Sequence, residues 1–166
     1  MAVHFMIDGY NVINAWNELK QMSENDLDGA RKKLIDILSD YQGFKKCKVT
    51  IVFDSHLVKG AMRKTENING VDIVFTAEGE TADSYIEKYV YENAHDENIV
   101  VVTSDYLEQL MILGSGATRM PPRQFKSEIE KTKKEINNVI NNYSKHRLED
   151  HLDEKIIEIL KKLRDE

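Results

Sequence analysis

Cysteine, proline and tryptophan are nearly missing from this chain: one Cys, two Pro and one Trp among 166 residues. The lone Cys47 cannot close an intrachain disulfide, and without a Cys/His cluster the sequence offers no structural zinc site. Cys47 reads as an inert residue beside a β-branched run, and a reducing compartment is expected. Long apolar runs are lacking too, since no segment approaches the roughly eighteen apolar residues of a membrane span. The opening stretch is interrupted by His4 and closed by Asp8, too short and too polar for a signal peptide. These absences together predict a cytoplasmic protein with no membrane partner. Neither internal repeats nor low-complexity segments are present, and the length suits one domain with a single core.

Positive charge is also in short supply. A net charge of −6 disfavours loose attachment to nucleic acid over the whole surface, yet the distribution is uneven. From Lys45 to Lys64 six basic residues face Asp54 alone, a balance of +5. From Glu78 to Glu108 nine acidic residues face Lys88 alone, a balance of −8. From Arg119 to Lys134 six basic residues against Glu128 and Glu130 return the balance to +4. An acidic centre between basic segments suits a metal site reached by a polyanion, although solvated helix faces produce similar runs.

Four β-branched runs, Val3–Ile7, Lys48–Phe53, Val71–Phe75 and Asn98–Thr103, alternate with segments of helical period. That alternation predicts an α/β fold with a mostly parallel sheet covered on both faces. Leu27, Ala30, Leu34, Leu38 and Tyr41 recur at three and four behind Asp26, an expected N-cap. Ala82, Tyr85, Ile86, Tyr89 and Val90 repeat the pattern, and Tyr106, Leu107, Leu110 and Met111 predict a short helix stopping at Gly114. Beyond residue 120 the pattern turns purely helical. Pro121 and Pro122 suit a first turn, one stripe runs through Phe125, Ile129, Ile136, Val139, Ile140 and Tyr143, and a second through Leu148, Leu152, Ile156, Ile159, Leu160 and Leu163. Residues 1–125 are therefore read as the α/β domain, and 121–166 as a helical extension packed on it or continuing it.

Parallel strands bring their C-terminal ends to one edge, where open α/β sheets bind ligands. Acids stand at each of those ends: Asp8, Asp54, Glu80 with Asp83, and Asp105. Each has a structural explanation when taken singly. Asp8 suits an Asx-turn with Gly9, Asp54 a loop cap, Asp83 the dipole of a first helical turn, and Asp105 with Glu108 a capping box. Gathered at one edge they repel, and a cation removes that difficulty. Oxygen ligands without Cys or His suit Mg²⁺ or Mn²⁺. Ions so held can activate water and stabilise both oxygens of an in-line phosphodiester displacement. On this reading Asp8, Asp83 and Asp105 are the metal ligands, with Asp54 nearby. Asn11, neutral and three residues after Asp8, would orient water or a phosphate, and Thr103 and Ser104 would supply hydroxyls.

The blocks "MIDGYNVINAW", "IVFDSH", Ile73 through Glu87, and "VVTSDYLEQLMILGSGATRM" stand in an order and spacing that resembles the YacP-like NYN domain family, a branch of the PIN-like nucleases. The resemblance spans residues 3–125 and extends to the helical tail. It implies a PIN-like three-layer α/β/α sandwich and a Mg²⁺- or Mn²⁺-dependent endoribonuclease that cuts messenger RNA in association with the translating ribosome. By the same resemblance Asp8, Asp54, Asp83 and Asp105 form the catalytic acid cluster, with Asn11 the second signature residue. Glu80 falls in the matched "ETAD" block, either as a metal ligand or as a helix-start residue.

Cations near that edge are candidates for RNA phosphates: Arg119, Arg123 and Lys126 on one side, and Lys59, Arg63 and Lys64 in the long loop after Asp54, with Ser104 beside the acids. Tyr10 and Trp16 are read as core or rim residues rather than base platforms. Gly114 and Gly116 follow a helix and lack a third glycine, so no dinucleotide fingerprint is formed and no nucleotide cofactor is expected. Two rival readings stand beside the nuclease. A receiver or phosphatase also gathers acids at strand ends, but a haloacid-type phosphatase wants an Asp where this chain has Tyr10. A non-catalytic module that binds RNA or the ribosome would be indifferent to divalent ions.

Overall fold

The computed structural model describes residues 2–150 and 161–164. Its first half runs β1 (Val3–Asp8), α1 (Gly9–Ala15), α2 (Asn17–Asn25), α3 (Leu27–Lys45), β2 (Lys48–Phe53) and β3 (Lys64–Ile68). Then follow β4 (Val71–Phe75), α4 (Ala82–Asn93), β5 (Asn98–Val102), α5 (Tyr106–Leu113), β6 (Thr118–Met120) and α6 (Pro122–Asp150). The six strands make one sheet in the order β3-β4-β2-β1-β5-β6. All neighbours are parallel except β3, which lies antiparallel on the outer edge of β4. Asp8 pairs with Val52, Ile7 with Val102 and Phe53 with Phe75, so β1, β2, β4 and β5 end together at one edge.

Successive strand residues point to opposite faces, and here each face has its own helices. Met6, Val52, Val74, Ile99 and Val101 face Ala82, Ile86 and Val90 of α4 and Ile112 of α5. On the other face Phe5 meets Tyr41 of α3 and Phe125 of α6, with ring centroids 5.8 and 5.1 Å away. The expected α/β/α layering is therefore present. The first stripe of α3 is buried as expected from Ala30 onward, behind Asp26, whose carboxylate accepts the Gly29 N–H at 2.8 Å. Pro122 opens α6 as its first residue.

One expectation needed correction. The segment after Asp54 is not a loop throughout, because Lys64–Ile68 pairs with β4 as an edge strand. Its polar sequence, KTENI, is mostly exposed and carries no apolar alternation to betray it. On α5, Tyr106 and Met111 are 68% and 53% exposed, and the face turned inward carries Glu108, Gln109 and Ile112. Of the second tail stripe, Leu152, Ile156, Ile159 and Leu160 lie outside the described residues. Two compact units divide the chain, Met1–Ser127 and Glu128–Glu166, and the whole sheet belongs to the first.

Gly9 opens α1 close against the side chains of β2. A Cβ there would lie 2.5 Å from the Phe53 ring and 3.0 Å from Ile51 Cγ2, both fully buried groups. Gly9→Ala should therefore destabilise the fold by about 1–3 kcal/mol through overpacking, lowering the thermal unfolding midpoint by several degrees. An unchanged midpoint would show that this contact is not a constraint.

Candidate metal centre

Asp8 ends β1 and caps α1, its carboxylate accepting the Asn11 N–H at 3.4 Å. Position parity sends it, like Met6, to the α4 side of the sheet. Asp83 occupies the first turn of α4 behind a Thr81–Ser84 capping box. Glu108 comes from the inward face of α5. One carboxylate oxygen from each of Asp8, Asp83 and Glu108 lies within 4.8 Å of the others. Asp8 and Glu108 are buried, and neither Glu108 oxygen finds a hydrogen-bond partner among the described residues.

This arrangement is electrostatically costly. Burial, then the neighbouring charges of Asp83 and Asp54, push the Asp8 carboxyl up to about 7 despite the Asn11 N–H. Burial and Asp83 push Glu108 upward as well. Burial raises Asp83, and Asp105 beside it adds to the effect. Three converging acids, one of them with both oxygens unpartnered among the described residues, fit a divalent cation. Glu108 was missed by sequence reasoning, which read it as the partner of Asp105 in a capping box. The available signal was its place four residues before Ile112, on the buried side of the helix.

The remaining acids are placed differently. Asp54 accepts the Ala82 N–H at 3.1 Å and the His56 N–H at 2.9 Å, and pairs closely with the His56 ring. Burial alone would raise its carboxyl, but these donors hold it below the usual range. It thus ties the end of β2 to the start of the helix that carries Asp83. Asp105 accepts the Glu108 N–H at 3.4 Å, and its own N–H donates to Thr103 Oγ1 at 3.1 Å. It lies close enough to Asp83 to act on its charge but is outside the closest trio. Glu80 turns away to an ion pair with Arg63, whose hydrogen bond holds the carboxyl low, and accepts the Ala77 N–H at 3.2 Å.

Asn11 and Ser104 meet. The Asn11 side-chain carbonyl accepts the Ser104 N–H at 2.8 Å and also its hydroxyl, tying the first turn of α1 to the segment after β5. Gln109 donates to the Thr103 carbonyl at 2.8 Å and receives the Arg119 guanidinium. Arg119 is therefore brought to the segment bearing Asp105 and Glu108. Arg123 is exposed and Lys126 half-buried on the first turns of α6. Lys59 is exposed, Arg63 lies over the Tyr85 ring at 5.2 Å, and Lys64 pairs with Glu66 at 3.8 Å in β3. Trp16 is buried and donates to the Pro122 carbonyl at 2.8 Å, and Tyr10 packs on Phe53 at 5.1 Å, both in the structural roles expected.

The profile of the YacP-like NYN domain matches residues 5–165. The chain is 42% identical over 132 residues to the uncharacterized protein YacP of Bacillus subtilis (strain 168), covering 79% of this chain and 77% of that one. Its fold matches a crystal structure of Rae1 (YacP) from Bacillus subtilis with a TM-score of 0.72 and 36% identity, over 99% of this chain and 95% of the other. A mutant form of the same protein matches at 0.74 and 34%, over 95% and 91%. These likenesses bear out the PIN-like architecture.

The raised Asp8 carboxyl fixes the sign of a pH effect. Between its ordinary value of 3.8 and about 7 the native state keeps a proton that the unfolded chain has released. Stability without metal therefore falls as pH rises through that window and stays low above it. The thermal midpoint in chelator should drop from about pH 5 to about pH 8. Asp8→Asn should make that decline shallower and raise the midpoint at the alkaline end, whereas a profile equally steep in both proteins would remove Asp8 as its source.

Proposed function

The chain belongs to the YacP-like NYN domain family, and on that premise we propose that it is a Mg²⁺- or Mn²⁺-dependent endoribonuclease acting on single-stranded RNA. The observation that carries this reading is the convergence of oxygens from buried Asp8 and Glu108 and half-buried Asp83 to within 4.8 Å of one another. A bound divalent ion there would supply a polarised, readily deprotonated water and charge stabilisation at the phosphate. Asp8, Asp83 and Glu108 would hold it, with Asp105 at its border. Asp54 and Asn11 act by position: one fixes the start of α4, the other joins the turns after β1 and β5. Arg119, held by Gln109, offers its remaining N–H donors to a phosphate. The proposed products carry 5′-phosphate and 3′-hydroxyl ends.

The proposed substrate is messenger RNA on the translating ribosome, in the cytoplasm. Among the described residues no helix is long and apolar enough to cross a membrane. The exposed cations Lys131, Lys133, Lys134, Lys145 and Arg147 of α6 are the proposed contacts to ribosomal RNA.

Asp83→Asn and Glu108→Gln should each lower cleavage by about a hundred-fold or more while the circular-dichroism spectrum stays native. The assay maps 5′ ends of a translated messenger on ribosomes. Full activity in Glu108→Gln would place the metal ligands elsewhere. Lys133→Glu with Lys134→Glu should weaken ribosome co-sedimentation several-fold and steepen its loss with salt; unchanged co-sedimentation would take α6 out of the ribosome contact.

A further inference from the structure

The two helices that bring Asp83 and Glu108 to the acidic centre also enclose a groove. Its cavity of about 490 Å³ lies between Ser84, Glu87, Lys88 and Tyr91 of α4 and Met111 of α5, within the roughly 300–1,000 Å³ of small-molecule sites. Residues three and four apart share a helix face, so Glu87 stands one turn below Asp83 and Tyr91 one turn below Glu87. Met111 stands one turn below Glu108 in the same way. Because β4, β5 and β6 are parallel, α4 and α5 both run back from the edge that bears the acids, and the groove continues from that centre. Its lining is apolar with two charges. Tyr91 is 81% exposed, Met111 is more than half exposed, and the buried Val90 and Ile112 also line the cavity. Neither the Glu87 nor the Lys88 side chain makes a hydrogen bond or an ion pair among the described residues.

We propose that this groove is a subsite for one nucleobase of the RNA whose backbone crosses the acidic centre, and that it favours bases with an exocyclic amino group. The inference rests on the nuclease reading above and adds a determinant of base preference. Position selects the occupant first. Glu87 and Tyr91 stand about 6 and 12 Å along the helix axis from Asp83, within reach of the neighbouring nucleotides of a strand whose phosphate sits at the acids. Chemistry selects it next. The charges of Glu87 and Lys88 cancel, so the groove suits a base better than another phosphate. A flat base fits the Tyr91 ring and the Met111 thioether. The Glu87 carboxylate can only accept, as from cytosine N4 or guanine N2, and Lys88 donates to acceptors such as guanine O6 and N7. Uracil has no amino group to offer. A peptide would also cover the apolar wall, but nothing in its chemistry requires a groove in line with a phosphate site.

Homopolymer strands make the test independent of binding register. Fluorescence anisotropy reads the binding of short oligocytidylate, oligouridylate and an abasic sugar-phosphate strand of equal length to full-length Asp83→Asn, a background chosen to leave them uncut. The same protein carrying Tyr91→Ala or Glu87→Gln is then compared; both positions are exposed, so neither change disturbs the core. Oligocytidylate should bind several-fold tighter than oligouridylate, and Glu87→Gln should bring the two together. Tyr91→Ala should weaken both by about ten-fold, within the range of one stacked base, and leave the abasic strand unchanged. Equal binding of all three strands by the starting protein, or a Tyr91→Ala loss as large on the abasic strand, overturns the subsite. No loss on any strand also overturns it and leaves a protein partner as the occupant of the groove. Binding is read apart from cleavage: a wild type that cuts no messenger in the ribosome assay overturns the nuclease reading, while base-dependent coupling to Tyr91 still supports a base in the groove.

Discussion

Mutual repulsion among buried carboxylates is the constraint around which the sheet's C-terminal edge is built. Asp8, Asp83 and Glu108 come from three elements far apart in the chain, and nothing in their own chemistry draws them together. Burial penalises the charge of each, and proximity adds to the penalty. They stay in place because their backbones are held by other means. The Asn11–Ser104 bonds join the turns that bear Asp8 and Asp105, Asp54 anchors the N-terminus of α4, and Gln109 fixes the turn leading to Glu108. The rigid parallel sheet beneath sets the spacing of all three. Carboxylates assembled in this way would need little rearrangement to take up a divalent cation.

Much of this was legible in the sequence because the fold class is written in alternation. The four apolar strands are near-continuous β-branched runs, as strands buried on both faces must be, so the shared edge and the acids on it could be placed before any coordinates. What escaped was what lacks period. β3 is a polar edge strand held by backbone pairing to β4, and β6 has only three residues. Neither offers a pattern to read.

Glu108 escaped for a different reason. The segment YLEQLMIL is apolar on nearly every side, so its hydrophobic residues do not single out the inward face, and the spacing from Asp105 matches a capping box. The structure keeps half of that box: the Glu108 N–H does bond to Asp105, while the Glu108 side chain points into the core. Asp54 and Asn11 show the converse. Both were read as catalytic, Asn11 as the second signature residue of its block, and in the structure a carboxylate oxygen of Asp54 and the side-chain oxygen of Asn11 also join segments. Sequence position brought them to the site; the bonds they make add a hold on its geometry that position alone does not reveal.

The opposite end of the sheet supplies a comparison, a glutamate with its own hydrogen-bond partners. Glu97 accepts from the Tyr89 hydroxyl at 3.0 Å and pairs with His4 at 2.8 Å, and His4 reaches Thr50 Oγ1 at 2.8 Å. Burial would raise the Glu97 carboxyl, but His4 and Tyr89 hold it below its ordinary value. Glu108 is the same residue type more deeply buried, with neither oxygen hydrogen-bonded among the described residues, and burial and Asp83 drive its carboxyl up. A fold that can satisfy a glutamate with a histidine and a tyrosine at one edge has not done so at the other. Glu108 thus stands beside two more acids, Asp8 and Asp83, where Glu97 has a histidine, and a divalent cation is the kind of group that could relieve all three carboxylates at once.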